Sequence, residues 1–549
     1  MSEEVLYATP DELALARAEL RQRWYDDGYY GHGTMSDFMR QGAERHPDVE
    51  LIFHSEQRPD RATLGEMWER ANLVAGNLQA LGLQRGDVVA IQTPSWLEGV
   101  LMFEAAMLCG AIVVPVIHIY GPAEVGFILR QSKAKVLVVP DRWGKIDFIE
   151  RLAALEDVPD LEQTIVIGDR IPPGALAWDD LAVDRGNAFV PPALEEDDVC
   201  LLVYTSGTTA DPKGVQHTHN TLGHECRTRL FDTLETTGMG MFPFGHIAGA
   251  LTIGRMFIHG IKMILVDRWE PHAAAALVEE HGVESSAGTP YHLQTLIDAA
   301  EADGRDITSL RRMGTGAAAV PPTLIERYDA LGIRVVRQYG SSEHPVVTSS
   351  SESDSLVHRS QTDGHPSNGN EIRIVDDDGN DVPAGDDGEV ALRGPEQFIG
   401  YRDPALDATS YLPGAWFLSG DVGNLDPDGY LTITDRKKDV IIRGGENIAS
   451  KEVEDVLSRH PDVVEVAVVA MPDERMGEVV CAFAILRPGS ALDLSALVDH
   501  FRAAGVAKQK TPERLVVVDE LPRTPSGKVK KFELRQQLRQ EAKAARAGR

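Results

Sequence analysis

Between residues 88 and 340, apolar segments rich in β-branched residues alternate with stretches of helical periodicity. The apolar segments are VVAIQT (88–93), AIVVPVI (111–117), KVLVVP (135–140), TIVIGD (164–169), KMILVD (262–267) and IRVVRQYG (333–340). This alternation predicts strands connected by helices, the arrangement of α/β proteins with mainly parallel sheets. We therefore expect a large, multi-layered N-terminal domain.

The pattern changes near residue 371, where short strands separated by turns predict a small β-rich subdomain. Residues 450–489 then predict a helix followed by two strands, and 493–505 predict another helix, which together indicate a small α+β module. The charged segment TDRKKD (434–439) separates these patterns. We predict a large domain at 1–435 and a small mobile domain at 436–549 whose basic tail forms an amphipathic helix.

One stretch, residues 100–120, is apolar over the length of a membrane span. Glu104, Gly110 and Pro115 interrupt it, so a buried helix followed by a buried strand is the better interpretation. The N-terminus is acidic and lacks the basic start and apolar run of a secretion signal. We expect no membrane span.

Composition and charge narrow the possible functions. A chain of 549 residues exceeds what one core supports, and a net charge of -31 disfavours nucleic acids and anionic membranes as partners. Any anionic ligand therefore needs a local cluster of positive charge or backbone N–H groups. The four cysteines lack CxxC spacing, which predicts neither a disulfide framework nor a zinc site. We expect a cytoplasmic protein.

The segment TSGTTADPKG (205–214) follows the strand-like CLLVY and has the composition of a phosphate-binding loop. It is not the GxxxxGK[ST] loop, because Pro212 replaces its second glycine and Gly214 replaces its Ser/Thr. The alternative is a polar loop that only caps a strand. The candidate phosphate ligands are Thr205, Ser206, Gly207, Thr208, Thr209, Ala210 and Lys213.

Two further segments carry candidate chemistry. GTGAAA (314–319) has the form of a dinucleotide fingerprint, but LRRM before it is a poor strand and no acidic residue stands about twenty positions later. QYGSSEH (338–344) follows a predicted parallel strand at its carboxyl end, where α/β proteins bind ligands. Glu343 there is a candidate Mg²⁺ ligand, and a merely solvated glutamate is the alternative.

Five segments together resemble the adenylate-forming enzymes: acyl-CoA synthetases, luciferases and peptide-synthetase adenylation domains. They are YTSGTTADPKG, YGSSE, WFLSGD, DRKKDVIIRGGENI and PRTPSGKVKK, in the order of that superfamily, and the resemblance extends from about residue 35 onward. Within it the chain is most similar to bacterial acyl-CoA synthetases. The resemblance implies ATP and CoA as co-substrates, Mg²⁺ as cofactor, and a two-step reaction through an acyl-adenylate.

The resemblance also implies roles for individual residues. Lys528 would contact the transferring oxygens, Glu343 would bind Mg²⁺, and Lys438 would be the hinge about which the small domain turns. Asp421 and Arg436 would bind the ribose. The remaining implied sites are the nucleotide residues Gly314, Gly316, Tyr339, Gly340, Ser341 and Ser342, the CoA segment Arg443, Gly444, Gly445 and Glu446, and the acyl pocket His246, Ile247, Gly249 and Ala317.

The sequence of the implied acyl pocket indicates what kind of acid it binds. Peptide-synthetase domains bind an amine with an aspartate near FPFGH, and none stands between Phe242 and Ala250, so we expect an acid without an α-amino group. Small residues in GHIAGA and GTGAAAV leave room for a bulky hydrophobic acid, whether alicyclic, polycyclic or fatty. For His246, a hydrogen-bonded core histidine is the alternative.

Departures from the superfamily pattern keep other functions open. Ala210 stands where many members have glycine, and its methyl group would crowd the β- and γ-phosphates of ATP but not AMP. One alternative is therefore a thioester-forming enzyme that receives its acyl-adenylate from a partner enzyme. A non-catalytic acyl-adenylate binding protein is another, and a second copy of the chain is a candidate partner. Ala449 and Ser450 also depart from the common pattern.

Overall fold

A computed structural model describes residues 7–205, 212–228, 237–437, 439–443, 446–473, 475–504, 508–524 and 527–547. Its α-helices are α1 (Pro10–Asp26), α2 (Met35–Arg45), α3 (Leu64–Ala80), α4 (Leu97–Leu108), α5 (Pro122–Ser132), α6 (Phe148–Ala153), α7 (Trp178–Leu181), α8 (His219–Arg227), α9 (Ile247–His259), α10 (Pro271–His281), α11 (Pro290–Asp303), α12 (Pro322–Ala330), α13 (Leu356–Gln361), α14 (Ser450–Leu457), α15 (Leu494–Ala503) and α16 (Lys531–Ala547). Short 3-10 turns lie at Pro404–Thr409 and Lys508–Lys510.

The strands are β1 (Glu50–His54), β2 (Asp60–Thr63), β3 (Val88–Ile91), β4 (Ile112–Pro115), β5 (Val136–Pro140), β6 (Arg142–Trp143), β7 (Ile146–Asp147), β8 (Gln163–Ile167), β9 (Leu176–Ala177), β10 (Val199–Thr205), β11 (Lys213–Thr218), β12 (Thr237–Gly240), β13 (Lys262–Val266), β14 (Ser285–Gly288), β15 (Arg312–Gly316), β16 (Arg334–Tyr339), β17 (Thr348–Ser349), β18 (His365–Pro366), β19 (Glu371–Val375), β20 (Gly388–Arg393), β21 (Tyr411–Leu412), β22 (Trp416–Leu425), β23 (Leu431–Arg436), β24 (Ile441–Arg443), β25 (Glu446–Ile448), β26 (Val463–Asp473), β27 (Gly477–Leu486) and β28 (Arg514–Val517).

Two large sheets organise the N-terminal part. Sheet A has the order β18-β17-β16-β15-β14-β12-β13-β1-β2, and its strands from β16 to β1 run parallel. Sheet B has the order β11-β10-β4-β3-β5-β8-β9 and is parallel except for the hairpin of β10 and β11. All six predicted segments form strands in these sheets: β3, β4, β5, β8, β13 and β16. The predicted α/β class is confirmed.

The helices form three layers around these sheets. Helices α2, α3, α4, α8 and α9 share one core with side chains from both sheets and therefore lie between them. Helices α10, α11 and α12 cover the other face of sheet A, while α5 and α6 cover the other face of sheet B. This layering explains why residues 100–120 are so apolar: α4 is buried along its whole length and β4 is a central strand. None of the described helices is both long and apolar enough to cross a membrane.

Two smaller units complete the fold. Antiparallel sheet C, formed by β19 to β23, shares a core with α1. Sheet D, formed by β24 to β28, packs α14 and α15 on one face and α16 on the other. The chain leaves sheet C at Arg436 and enters sheet D at Ile441, next to the predicted boundary at 435 and 436. That boundary remains a prediction.

The sequence interpretation of one central strand is wrong. LRRM looks like a poor strand, yet Arg312–Gly316 forms β15, which pairs in parallel with β14 and β16. Strands pair with it on both sides, and this tertiary pairing outweighs the weak local propensity of arginine and glycine. The strand brings GTGAAA to the carboxyl edge of sheet A.

A buried carboxyl group in α4 gives a stability prediction. Glu104 is 1% exposed, neither oxygen has a hydrogen-bond partner among the described residues, and burial raises its pKa well above the ordinary 4.5. The folded protein keeps a proton on Glu104 at pH values where the unfolded chain has lost it. The free energy that Glu104 costs the fold therefore grows as the pH rises above 4.5, the ordinary pKa. We expect Glu104→Met to raise the free energy of unfolding by about 1–3 kcal/mol at neutral pH, measured by urea denaturation.

The increase in the free energy of unfolding of Glu104→Met should be larger near pH ~8 than near pH ~4, where the unfolded chain also carries the proton. Glu98→Met is the matched control, because Glu98 is buried on the same helix but forms an ion pair with Arg58. It should destabilise the fold. Equal or lower stability of Glu104→Met at neutral pH would contradict the prediction.

Candidate active site

A cavity of about 1850 Å³ lies where sheet A, sheet C and the loop before α16 meet. Most residues singled out in the sequence line it although they are far apart along the chain. Those lining it are Thr205, Lys213, His246, Ile247, Gly314, Gly316, Ala317, Tyr339, Gly340, Ser341, Ser342, Glu343, Asp421, Arg436 and Lys528. The fold thus brings the separate motifs to one place.

One wall of the cavity is a hydrogen-bonded trio from two sheets. Tyr339, at the end of β16, donates its phenol O–H to Asp421 Oδ2 at 2.8 Å, and Arg436 Nε lies 2.9 Å from Asp421 Oδ1. Asp421 and Arg436 are register partners on β22 and β23. Burial and the Asp421 charge raise the pKa of Tyr339, and the same charge raises the pKa of Arg436. Each Asp421 oxygen keeps acceptor capacity for a ligand hydroxyl.

A second group centres on Glu343. Tyr401 donates its phenol O–H to Glu343 Oε1 at 2.8 Å, and the Lys213 ammonium lies 5.0 Å from the centre of the Tyr401 ring. Burial and the Glu343 carboxylate raise the pKa of Tyr401. Tyr401 carries no motif signal, and the sequence analysis missed it. Its hydroxyl fixes the orientation of the carboxylate.

The predicted phosphate loop is only partly described. Thr205 at the end of β10 pairs with Lys213 at the start of β11, and both residues line the cavity. Ser206, Gly207, Thr208, Thr209 and Ala210 lie outside the described residues. The roles assigned to these five residues, including the effect of Ala210, remain predictions.

The backbone geometry at the ends of β15 and β16 explains the identity of two predicted site residues and strains a third. A Cβ atom on Gly316 would lie 2.1 Å from the Gln338 carbonyl oxygen, and one on Gly340 would lie 2.0 Å from that of Pro345. Ala317 has a φ of 66°, a left-handed conformation that is rare outside glycine and is strained by roughly 1–3 kcal/mol. Close backbone approach therefore shapes this edge of the cavity.

Lys528 reaches the cavity on a tight turn of the small domain. The Thr524 N–H donates to the Lys528 carbonyl oxygen at 2.7 Å, and Arg523 donates to the Gly527 carbonyl oxygen at 2.8 Å. The Arg523 guanidinium also lies 4.7 Å from the centre of the Tyr291 ring on the large domain. A Cβ atom on Gly527 would be 3.1 Å from Thr289 Oγ1, so glycine allows this close docking.

His246 lies opposite this turn, at the start of α9. Its Nδ1 accepts a hydrogen bond from the Ala248 N–H at 3.2 Å, and its ring stacks on Phe242 at 5.5 Å. Burial and the nearby Lys528 charge lower the pKa of His246 to about 3, so the ring is neutral and its proton sits on Nε2. His246 therefore caps a helix and also lines the cavity.

The acyl end of the cavity differs in detail from the predicted pocket. Ile247 and Ala317 line it, whereas Gly249 faces the turn before α9, where a Cβ atom would lie 2.2 Å from the Pro243 carbonyl oxygen. Much of the lining was missed in the sequence and comes from Met239, Met241, Leu251, Arg255, Met256, His259 and Met263. The apolar lining residues have ordinary helical or strand spacing, so the sequence alone does not mark them as lining a cavity. An arginine within the apolar segment ALTIGRMFIH is a local signal that could have been noticed.

The predicted hinge lies between residues anchored to different units. Lys437 forms ion pairs with Glu389 at 2.9 Å and Asp377 at 2.8 Å in the sheet C unit, and Asp439 pairs with Arg535 on α16. Lys438 itself lies outside the described residues, as do Gly444 and Gly445.

Of the predicted CoA segment, the structure describes the side chain of Arg443 only. The Arg443 guanidinium pairs with Glu513 inside the small domain at 2.6 Å, and Glu446 is described only by its backbone, in β25. Arg443 is not among the residues that line the cavity. The structure thus brings Lys528, but not Arg443, to the site.

Comparison with known families identifies the chain. Residues 39–402 match the model described as AMP-binding enzyme, and residues 452–528 match that of the AMP-binding enzyme C-terminal domain. The chain belongs to the AMP-binding enzyme family. Its relatives include acyl-CoA ligases, and the chain is an AMP-forming acid–thiol ligase that acts through an acyl-adenylate. ATP and CoA are the co-substrates of such ligases.

Several relatives match over nearly the whole chain. A medium-chain fatty-acid–CoA ligase of Escherichia coli K12 is 34% identical, covering 95% of this chain and 93% of its own. A 3-[(3aS,4S,7aS)-7a-methyl-1,5-dioxo-octahydro-1H-inden-4-yl]propanoyl:CoA ligase of Rhodococcus jostii RHA1 is 33% identical, covering 87% and 94%. The crystal structure of the anthranilate CoA ligase AuaEII with anthranoyl-AMP superposes with a TM-score of 0.84 at 25% identity, covering 93% and 98%.

Proposed function

We propose that this AMP-binding enzyme joins a bulky hydrophobic carboxylic acid to CoA, with Lys528 as the catalytic lysine of adenylation. The observation that carries the proposal is the docking of the Lys528 turn against Thr289 and Tyr291. This docking places the Lys528 charge next to His246, in the cavity that also holds the Tyr339, Asp421 and Arg436 trio. The acyl end, near His246, and the nucleotide end, near the trio, therefore belong to one cavity, which Lys528 also lines.

The first half-reaction follows from this arrangement. An oxygen of the substrate carboxylate attacks the α-phosphorus of ATP, the bond from that phosphorus to the bridging oxygen breaks, and pyrophosphate leaves with the electron pair. Such displacements need positioning and neutralisation of charge more than covalent help. Lys528 neutralises the transferring oxygens, Asp421 and Arg436 bind the ribose hydroxyls, and the loop from Thr205 to Lys213 holds the pyrophosphate portion.

Glu343 is the residue that would bind Mg²⁺. Mg²⁺ is usually held by one or two carboxylates together with substrate phosphates and water, so a single oriented carboxylate fits it. When bound, the ion would neutralise charge on the phosphates, and Tyr401 orients the carboxylate that would hold it.

Removing the Tyr401 hydroxyl tests this role. We expect Tyr401→Phe to raise the Mg²⁺ concentration needed for half-maximal pyrophosphate release by about tenfold, because orienting partners of metal ligands contribute roughly 10- to 100-fold to metal affinity. Tyr411→Phe is the matched control, since Tyr411 belongs to the same aromatic cluster but does not line the cavity. An unchanged Mg²⁺ requirement in Tyr401→Phe would contradict the role.

The second half-reaction requires a different arrangement of the small domain. We infer rotation about Lys438, whose neighbours are tied to opposite units, so that the segment from Arg443 to Glu446 replaces the Lys528 turn at the cavity. The CoA thiolate then attacks the acyl carbonyl carbon and AMP leaves with the electron pair of the cleaved C–O bond. Turning a small domain through one short hinge is a common way to complete a second site.

The cavity supports a large acid. Four apolar side chains line its acyl end on three elements: Met239, Leu251, Met256 and Met263. Methionine adapts to ligands of varied shape, which suits ring systems as well as chains. The relatives point the same way, since they include a fatty-acid ligase, a feruloyl-CoA synthase and the fused-ring propanoyl ligase.

A split assay tests the proposed function. Pyrophosphate release from ATP and a panel of fatty, alicyclic and polycyclic acids is measured beside CoA thioester formation from the corresponding synthetic adenylates. We expect activity in both halves with at least one bulky acid. Activity only in the second half would instead favour a thioester-forming enzyme supplied by a partner, and Ala210→Gly would then be expected to restore the first half. Binding of adenylates without activity in either half would overturn the proposal.

A further inference from the structure

A group of polar side chains joins the large and small domains beside the predicted hinge. Asp435 lies on β23 of sheet C, three positions before Lys438, and is buried. Its Oδ2 accepts a hydrogen bond from the Ser450 N–H, and its Oδ1 accepts another from the Ser450 hydroxyl at 3.1 Å. Ser450 is the first residue of α14 in the small domain. The two hydrogen bonds therefore connect the two domains directly.

The contact continues to the segment that carries Lys528. The Lys531 ammonium donates a hydrogen bond to Ser450 Oγ at 2.7 Å and pairs with Glu454 at 2.8 Å. Lys531 is the first residue of α16 and stands three positions after Lys528. Ser450 Oγ thus accepts from Lys531 while it donates to Asp435. The large domain is therefore linked, through two side chains, to the base of the Lys528 turn.

The small-domain side of this group is tied together as one unit. Glu454 on α14 accepts a hydrogen bond from the Val468 N–H on β26 at 2.7 Å, in addition to its ion pair with Lys531 on α16. Asp435, by contrast, belongs to the ladder of β22 and β23 in sheet C. A turn of the small domain about the hinge would carry Ser450 and Lys531 away together. Because hydrogen bonds require close and nearly linear geometry, both bonds to Asp435 would break.

The contact is enclosed by protein, which strengthens it. Ser450 is inaccessible to solvent and Asp435 is 6% exposed. Burial raises the pKa of Asp435, and the Lys531 charge and the Ser450 donors oppose that shift. Hydrogen bonds to a charged acceptor contribute more than hydrogen bonds between neutral groups. The contact therefore favours the docked arrangement over any arrangement that lacks it.

We propose that Asp435 and Ser450 form a latch that holds the small domain in the arrangement that places Lys528 at the cavity. Both are positioning residues, because they act through Lys528 and do not contact the substrate. The inference rests on the proposed function, since it assumes that the small domain turns about Lys438 between the half-reactions. It assigns a role to Ser450, at which the chain departs from the common pattern: the strength of this contact sets the balance between adenylation and thioester formation.

Ser450→Pro removes the latch at a position that accepts proline. Proline has neither an N–H nor a hydroxyl group, so the variant loses both hydrogen bonds to Asp435. The first position of a helix favours proline, and the preceding Ala449 already has the extended backbone that proline requires, with φ of -67° and ψ of 120°. The substitution therefore breaks the contact between the domains without breaking α14.

The two half-reactions measure the effect. Pyrophosphate release from ATP and the most active acid of the panel is compared with thioester formation from the synthetic adenylate. We expect the ratio of the thioester rate to the adenylation rate to rise about tenfold in Ser450→Pro, because a hydrogen bond to a charged acceptor changes an equilibrium constant by about that factor. The ratio separates positioning from stability, since loss of folded enzyme lowers both rates equally.

Glu452→Ala is the matched control. Glu452 lies on α14 two positions after Ser450, but its carboxylate pairs with Lys510 inside the small domain at 2.6 Å. Its loss should leave the ratio unchanged. Should Ser450→Pro fail to fold, Asp435→Ala removes the acceptor from the large domain instead, and it should raise the ratio in the same direction.

A measurement that needs no activity reports the arrangement directly. The four native cysteines are buried, so a donor and an acceptor dye can be placed on Leu81→Cys in the large domain and Leu494→Cys on α15, both at exposed positions. Single-molecule energy transfer then gives the proportion of molecules that depart from the docked arrangement. We expect the ratio of departed to docked molecules to rise about tenfold when Ser450→Pro is added.

An unchanged dye distribution would overturn the proposal, as would an unchanged ratio of rates in both Ser450→Pro and Asp435→Ala. A fall of both rates by the same factor would also overturn it, because a merely structural role has that effect. Failure of the proposed function gives a different result: the wild type would lack one half-reaction, while the dyes would still show whether the contact holds the small domain.

Discussion

Replacing Lys528 with alanine is expected to slow pyrophosphate release from ATP and acid by about 100- to 1000-fold, the usual cost of losing one preorganised charge-stabilising group. Thioester formation from a synthetic adenylate should be nearly unchanged, because the lysine acts only where charge develops on the transferring oxygens. The docked turn explains this selectivity: Gly527 and Arg523 hold Lys528 against the large domain, next to His246. Both rates are measured by stopped assays on the same preparation.

Lys530 provides the matched control for Lys528. It lies two positions later, and its ammonium pairs with Glu533 at 2.9 Å. Lys530→Ala removes the same charge from the same segment and should retain most of the adenylation rate. Equal loss of both half-reactions in Lys528→Ala would contradict its role and would point to damage of the fold or of the docking surface.

The second large effect is expected at Asp421. Asp421→Asn should lower kcat/KM for ATP by about 100-fold or more, because the proposed hydrogen bonds from two ribose hydroxyls to this charged acceptor would weaken together. The substitution also weakens the support of Tyr339 and Arg436, both of which hold the carboxylate. The loss should appear mainly as a raised KM for ATP, with the KM for the acid little changed. Initial rates at varied ATP and fixed acid measure it.

Asp426→Asn is the control for Asp421. Asp426 lies in the turn of the same hairpin, where Oδ1 accepts hydrogen bonds from the Asp428 and Tyr430 N–H groups. Its replacement tests loosening of sheet C without touching the cavity, since Asp426 does not line it. A rise in the KM for ATP of similar size in both variants would show that Asp421 acts through the fold rather than by binding ribose.

The sequence predicts the secondary structure well wherever a segment has a clear hydrophobic pattern. The apolar β-branched segments form strands because buried parallel strands need apolar side chains on both faces. The apolar stretch at 100–120 divides into α4 and β4 as expected. By contrast, β15 contains arginine and glycine and owes its conformation to two neighbouring strands, which no local pattern contains.

The sequence motifs predict the candidate site residues, but they do not predict the groups that support those residues. Glu343 and Asp421 stand in recognisable segments, whereas the Tyr401 hydroxyl that holds Glu343 comes from a residue 58 positions later with no motif of its own. Ser450 stands out in the sequence only as a departure from the common pattern, which does not reveal its contacts with Asp435 and Lys531. A single sequence does not show which distant positions are in contact in the fold, so these supporting contacts could not be predicted from it.

The most direct test of the central claim, that this one cavity forms an acyl-adenylate, is exchange of labelled pyrophosphate into ATP in the absence of CoA. Reversible adenylation at the Lys528 site predicts exchange that depends on a bulky hydrophobic acid and is abolished in Lys528→Ala. The account would be contradicted if the enzyme made acyl-CoA from ATP, acid and CoA while no acid supported exchange, or if exchange persisted fully without Lys528.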